Sequence, residues 1–374
     1  MRRGAYVYED VVSRHVLRED HVFRPSRLRH TYELLESYGA FEGEGSRLVR
    51  PQHATEEDVL SFHTPDYVAA VKSFSRGESL VEPARYNFSA DGDNPAYPGM
   101  YEAATLVVGG SLMATDLLLD GQVDVAFNSS GGLHHAAPGF ASGFCVFNDA
   151  AIAIKHLMSK GLKVAYVDID VHHGDGVQNA FYDTDAVLTI SIHESGRYLF
   201  PGTGSTSEIG SERGEGYAVN LPLAPLTDDE VYLWAFSEVV PPLVGSFGPD
   251  VLVTQLGIDT HYSDPLAHIN LTSQGYIQAI RELAALTGSR WLALGGGGYE
   301  MGAVARCWAL AYGVMIERDW PDDIPEEYRE RYGLAILRDP QGPEIEAQAK
   351  ERAWAQARQS VQEIKDGVFS IHGL

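Results

Sequence analysis

Short apolar runs alternate along this chain with longer stretches in which apolar positions return every three or four residues. The runs 5–8, 123–128, 164–169, 186–193, 218–223 and 250–257, and the one opening at Trp291, are rich in Val, Ile, Leu and aromatic residues and predict strands. Between them the spacing changes to that of helices. Pro25 and Ser26 open one that Gly39 closes, with Leu28, Tyr32, Leu35 and Tyr38 on its apolar stripe. Thr55-Glu56-Glu57-Asp58 and Thr64-Pro65-Asp66 look like two further helix starts, and 101–119, 230–244 and 272–287 continue the series. Alternating strands and helices predict an α/β fold, a parallel sheet covered by helices on both faces. Periodicity does not reveal the strand order. No repeat, low-complexity tract or linker divides the chain, so 1–374 reads as a single domain. The stretch 317–374 is a polar, partly helical C-terminal extension packing on it, with charges concentrated in 344–365.

The 374 residues are 44% apolar and include 38 glycines, enough for a large core with many tight turns. A formal charge of −24 argues against nucleic acid or an anionic membrane as partner. Cys145 and Cys307 provide no disulfide framework, the first residues lack the apolar core of a signal peptide, and no uninterrupted apolar run is long enough to cross a bilayer. Together these predict a cytoplasmic protein.

The unusual chemistry lies where strands end. In K-V-A-Y-V-D-I-D-V-H-H-G-D-G, residues 163–176, an apolar strand runs into Asp168, Asp170, His172, His173 and Asp175. Burying bare carboxylates is costly without cations or strong donors nearby. In an extended chain residues two apart point the same way, so Asp170 and His172 can converge on one ion. Mixed oxygen and nitrogen ligation suits zinc or ferrous iron better than magnesium or calcium. The loop 131–150 places His134 and His135 after paired glycines and before three phenylalanines, poor material for regular structure but apt for a cleft. The strand at 291 breaks on four glycines before Tyr299, without the Lys-Ser/Thr pair of a phosphate loop. His53 and His63 read as structural, and two of Arg24, Arg27 and Arg29 as solvated.

With G-G-L-H-H-A, A-S-G-F-C-V-F-N-D-A, V-D-I-D-V-H-H-G-D-G, F-P-G-T-G, Q-L-G-I-D-T and L-G-G-G-G-Y in that order, the chain resembles the zinc-dependent histone deacetylase family, particularly its bacterial acetoin-utilization branch, over about residues 5–315. The resemblance implies the arginase/deacetylase fold with a central eight-stranded parallel sheet. It implies Asp170, His172 and Asp259 as ligands of Zn2+, with Fe2+ as the alternative ion. His135 would be general base and acid, His134 its charged neighbour, Asp175 and Asp168 the acids behind each, and Tyr299 the oxyanion donor. Phe144 and Phe200 would wall the acyl-lysine tunnel, with Gly143 near the amide, Leu266 at the rim and Asp93 holding the substrate backbone. Arg27 would lie behind the pocket near an acetate exit. Asp168, Asp170, His172 and Ser191 would supply a K+ site. The implied reaction is hydrolysis of Nε-acetyl-lysine in proteins, an acyl-CoA synthetase among the candidate partners.

Three other readings stand beside this one. An acetylpolyamine amidohydrolase shares the chemistry, but the early insertion that shapes that group's channel is missing from the sequence. An arginase-like ureohydrolase needs D-x-H-x-D, whereas position 174 is Gly. A non-enzymatic acyl-binding module would have no need of the histidine pair or Tyr299. Thr260, His261 and Tyr262 after Asp259 are bulkier than the small residues common there in the family, and His261 and Tyr262 are expected to narrow or repolarise the tunnel mouth. Asn94 stands where eukaryotic relatives usually have Cys. The oligomeric state is left open.

Overall fold

The computed structural model describes residues 2–78 and 81–374. Eight strands form one sheet: β1 (Gly4–Val7), β2 (Ser46–Val49), β3 (Val125–Asn128), β4 (Val164–Asp168), β5 (Val187–Glu194), β6 (Ala218–Leu223), β7 (Val251–Gln255) and β8 (Trp291–Leu294). Their order is β2-β1-β3-β8-β7-β4-β5-β6, and every pairing is parallel. Parallel sheets need cover on both sides, and the central strands show why they read as unbroken apolar runs. In β4, Val164 and Tyr166 join one core cluster while Ala165 and Val167 join the other. One face is covered by the helices Pro65–Ser75, Met100–Leu119 and Asp149–Ser159, the other by Ser26–Ser37, Asp229–Phe247, Ser273–Leu286 and Met301–Met315.

Local signals account for the element ends. Helix Ser26–Ser37 stops at Gly39, which takes the left-handed φ of 67° that a side chain would resist, and Ala40 N–H then donates to the Leu35 carbonyl. Strand β2 was not legible as a strand. It is a four-residue edge element with Arg47 and Leu48 exposed, so it carries almost no apolar pattern. Helix Met100–Leu119 is long and apolar enough to span a bilayer by length and composition, yet most of it is buried in the core. The tail helix Ala347–Gly367 lays Ala353, Ala357, Val361 and Ile364 against the core, and Ser360 Oγ donates to the Pro222 carbonyl of β6.

The loops after β3, β8, β7 and β4 leave four neighbouring strands at their C-terminal ends. That is where open α/β sheets bind ligands, and there the candidate residues gather.

Candidate active site

The floor of the site is built on strand ends. Asp168 is the last residue of β4, Asp170 and His172 follow it, and Asp259 lies just beyond β7. His172 Nδ1 is 3.1 Å from an oxygen of Asp170 and 3.1 Å from one of Asp259. These three buried residues are the one group of potential metal-holding side chains found among the described residues. Donors at about 2.0–2.1 Å from a tetrahedral zinc stand roughly 3.3 Å from each other, and both distances from His172 are close to that. The remaining lone pairs of the acids are occupied. Gln255 Nε2 and Gly297 N–H both donate to Asp170 Oδ2 at 2.7 Å, and Val171 N–H donates to Asp259 Oδ1 at 2.8 Å. A Cβ at Gly297 would lie 1.9 Å from Asp259 Oδ2, so only glycine lets the backbone come this close. Charge completes the test. Burial alone would lower the His172 pKa, but Asp170 and Asp259 push it up to about 10. Two buried carboxylates around one imidazole call for a cation, and a divalent ion answers that with the ring neutral. The set fits zinc.

Beside the floor stand two imidazoles with opposite leanings. His134 Nδ1 donates to Asp168 Oδ2 at 2.7 Å, and that oxygen also accepts the Tyr166 hydroxyl at 2.7 Å. Burial disfavours a charged His134, yet Asp168 and Asp170 outweigh it and push the ring up to about 9. His135 Nδ1 donates to Asp175 Oδ1 at 2.7 Å. Burial and the charge of His134 outweigh Asp175 and hold His135 down at about 4. Near neutral pH, then, His134 is charged and His135 is a neutral base. The two Nε2 atoms are 3.1 Å apart. Burial, then Asp259 and Asp170, raise the Tyr299 pKa far above the ordinary phenol value, so its hydroxyl keeps its proton.

Asp170, His172, His134, His135, Gly143, Phe144 and Tyr299 line one pocket of about 270 Å³. Gly143 (φ 49°) passes so near His135 that a Cβ would lie 2.3 Å from the ring. The Phe144 ring packs edge-on against Tyr299 (5.7 Å) and His21 (4.8 Å). Phe200, 44% exposed, sets its ring 5.1 Å from His135 and 6.4 Å from His172, so it reaches the floor from the solvent side. Asp93 is exposed and outside this pocket; its carbonyl accepts His21 Nε2–H at 3.2 Å, which ties the outer loop to the Phe144 wall. Leu266 is half-buried at the outer end of the loop from Asp259. Arg27 is buried behind the pocket, donating to the carbonyls of Gly298 (2.7 Å) and Gly296 (2.6 Å), while its Nε has no partner. Arg24 is exposed and Arg29 pairs with Asp10. Ser191 lies opposite Asp168 in the sheet register, its hydroxyl 2.9 Å from His193 Nδ1.

Two expectations meet the structure differently. His261 does not narrow the tunnel mouth. It is buried, with Nε2 2.9 Å from Asp339 Oδ2, and Arg306 holds the other oxygen of Asp339 at 2.9 Å. Its ring thereby ties the loop after Asp259 to the C-terminal extension. Position 174 could not carry a further metal-binding acid, because a Cβ on Gly174 would lie 2.4 Å from Asp168 Oδ2.

Sequence reasoning also missed several supports. Asp264 accepts Tyr299 N–H at 2.7 Å and Leu266 N–H at 2.9 Å, holding floor and outer loop together. Asp149 accepts Leu133 N–H at 2.9 Å and Gly132 N–H at 3.1 Å just before the histidine pair. Gln255 is a third. Asp264 is an ordinary polar residue in sequence, and the signals for Asp149 and Gln255 are their places in the F-N-D-A and Q-L-G-I-D-T motifs.

A model of the histone deacetylase domain matches residues 21–315. The chain is similar to the acetoin utilization protein AcuC of Bacillus subtilis, 41% identical over 334 residues, which are 88% of this chain and 86% of that protein. It is 38% identical to human histone deacetylase 1 over 335 residues, 89% of this chain and 68% of that one. Among solved structures, a histone deacetylase homologue from Aquifex aeolicus superposes with a TM-score of 0.86 at 29% identity, covering 96% of this chain and all of that one.

Proposed function

The chain belongs to the histone deacetylase family of hydrolases, and from that premise we propose that it is a zinc-dependent amidohydrolase that removes acetyl groups from Nε-acetyl-lysine in proteins. The observation that carries the reading is one small pocket lined at once by the metal triad's Asp170 and His172, a neutral His135 and a protonated Tyr299. A zinc ion held by Asp170, His172 and Asp259 would supply Lewis-acid chemistry, polarising an amide oxygen and lowering the pKa of water towards about 7.

The chain's own groups do the rest. His135 Nε2 takes a proton from the attacking water, with Asp175 holding the ring in the right tautomer. Charged His134 stabilises the negative charge that builds up beside it, Asp168 fixing its orientation. Tyr299 donates its hydroxyl proton as a hydrogen bond to the developing oxyanion. As the amide C–N bond breaks, His135 passes its proton to the lysine amine, and acetate and amine are released. Phe144 and Phe200 would form apolar walls for a lysine stem, and the exposed carboxylate of Asp93 would hold a substrate backbone. Arg27, buried behind the pocket, suits a departing carboxylate. We assign the protein to the cytoplasm and name an acetylated acyl-CoA synthetase as a partner to test. K+ beside Asp168 and Ser191, and Fe2+ in place of zinc, remain part of the proposal.

The test is turnover of an acetyl-lysine peptide and of N-acetylputrescine by zinc-loaded protein, with Tyr299→Phe alongside. We expect peptide hydrolysis, reduced by about 10²–10³ in kcat in the variant. Turnover of the polyamine alone would move the assignment to small amines, and an unaffected variant would remove Tyr299 from the chemistry.

A further inference from the structure

One buried carboxylate outside the reaction pocket touches both segments that carry the site. Asp339 lies beyond residue 315, where the match to the deacetylase domain ends, and only 4% of it is exposed. Its Oδ2 accepts His261 Nε2–H at 2.9 Å and Ser273 N–H at 2.7 Å, and Arg306 holds Oδ1 at 2.9 Å. Burial works against ionisation, yet the His261 ring, the Ser273 N–H and Arg306 keep the carboxyl well below the usual carboxylate range. His261 stands two positions after Asp259, where small residues are common in the family. Arg306 belongs to the helix Met301–Met315, which starts two positions after Tyr299.

We propose that Asp339 and His261 are positioning residues, through which the C-terminal extension sets the places of Asp259 and Tyr299. The proposal rests on the zinc amidohydrolase reading above, and it makes a segment outside the matched domain a working part of the site. The loop after Asp259 needs such a hold. Asp259 is four positions beyond the end of β7, and its carboxylate is buried close to that of Asp170. Like charges in a buried site repel, so the loop is pushed outward whenever no ion lies between them. His261 is the pivot of that loop. Its N–H donates to the Ile258 carbonyl at 3.1 Å, just before Asp259, and its carbonyl accepts Asp264 N–H at 2.9 Å. Asp264 in turn accepts Tyr299 N–H at 2.7 Å. A swing of the His261 backbone is therefore passed to Asp259 on one side and to Tyr299 on the other. The ring resists that swing because both of its nitrogens are used. Ser263 N–H donates to Nδ1 at 3.2 Å, which leaves the ring proton on Nε2 for Asp339. A small side chain at 261 would leave the loop without this tie to the extension.

The experiment measures zinc dissociation constants by competition with a chelating dye, and kcat and KM on an acetyl-lysine peptide at saturating zinc. The proteins are wild type, His261→Phe, His261→Gln, Asp339→Ala and the double variant His261→Phe/Asp339→Ala, with melting temperatures as the fold control. His261→Phe and Asp339→Ala should each weaken zinc binding by at least about tenfold and lower kcat by a similar factor, with KM within about threefold. The double variant should lose no more than either single one, because the two side chains form one link. Glutamine can place an amide N–H where Nε2–H was, so His261→Gln should stay within about threefold of wild type in zinc binding and kcat. If Asp339→Ala melts too early to assay, the contrast between His261→Phe and His261→Gln carries the test. Zinc binding and kcat at the wild-type level in folded His261→Phe, or losses that multiply in the double variant, would overturn the proposal. Wild type that binds zinc but leaves the peptide intact would overturn the amidohydrolase reading, while the zinc constants still decide on the pair.

Discussion

The two ends of the reaction pocket are built in opposite ways. At the floor Asp168, Asp170, His172 and Asp259 are buried on strand ends, and nearly every oxygen is claimed by a backbone amide or a side-chain donor. At the outer end Asp93 is exposed and Phe200 is 44% exposed, both carried on loops. A buried charge interacts strongly and tolerates no error in position, whereas an exposed one is screened and can move. The floor therefore holds its charges in fixed positions, and the outer end is free to adjust. The two are joined at few points: Asp264, which binds Tyr299 and Leu266, and His21, which binds the Asp93 loop to Phe144.

The sharpest way to break this contrast is at the floor. Asp170→Asn keeps the shape but removes one of the two negative charges that call for the ion. We expect metal content to fall far below one ion per chain and peptide turnover to drop by more than about 100-fold, the upper range for losing a group that only supports a ligand. Metal analysis and single-turnover kinetics read the two effects separately. A variant that retains both would show the floor to be a packing device.

The same contrast governs what could be read from sequence. The floor was legible because an apolar strand that ends in D-I-D-V-H-H cannot bury those groups without a cation, so composition alone pointed to a site. The eight-stranded parallel fold followed from alternation and resemblance together, although β2, short and half-exposed at the sheet edge, carried no pattern to find. Long-range partners were not legible. His261 looked like an obstacle at the tunnel mouth because it follows Asp259. Its partner Asp339 lies 78 residues further on, in a segment whose sequence says only that it is polar. Asp264 reads as an ordinary acid before Pro265, and only the fold brings Tyr299 N–H to it.

Between floor and surface sits His63, and pH can separate its contribution. Its Nδ1–H donates to the Pro138 carbonyl, and its Nε2 accepts Asn148 N–H at 3.0 Å, under the loop that carries His134 and His135. Burial, against the help of the Pro138 carbonyl, holds its pKa down at about 4. The unfolded ring titrates near 6.5, so the stabilising effect of neutral His63 is complete above about pH 6.5 and is lost as pH falls towards 4, by up to about 3 kcal/mol. Protonation turns the accepting Nε2 into a donor facing another donor. Melting curves between pH 7.5 and 4.5 should show a steeper loss in wild type than in His63→Gln, which starts lower and stays flatter. Parallel curves would mean that the ring titrates in the fold as it does in the unfolded chain.

The smallest effect is expected at the outer end. Asp93 presents an exposed carboxylate, and its backbone is positioned by His21 independently of that side chain. A hydrogen bond from a substrate backbone N–H to an exposed carboxylate contributes modestly, so Asp93→Ala should raise KM for an acetyl-lysine peptide by about three- to tenfold and leave kcat within about twofold. Acetyl-lysine without flanking residues should be hydrolysed equally by both proteins, because it offers no backbone for the acid to hold. If kcat falls instead, and falls for the small substrate too, Asp93 acts on the floor through the His21–Phe144–Tyr299 contacts. The two ends of the pocket would then be one unit, and substrate choice and catalysis could not be changed separately.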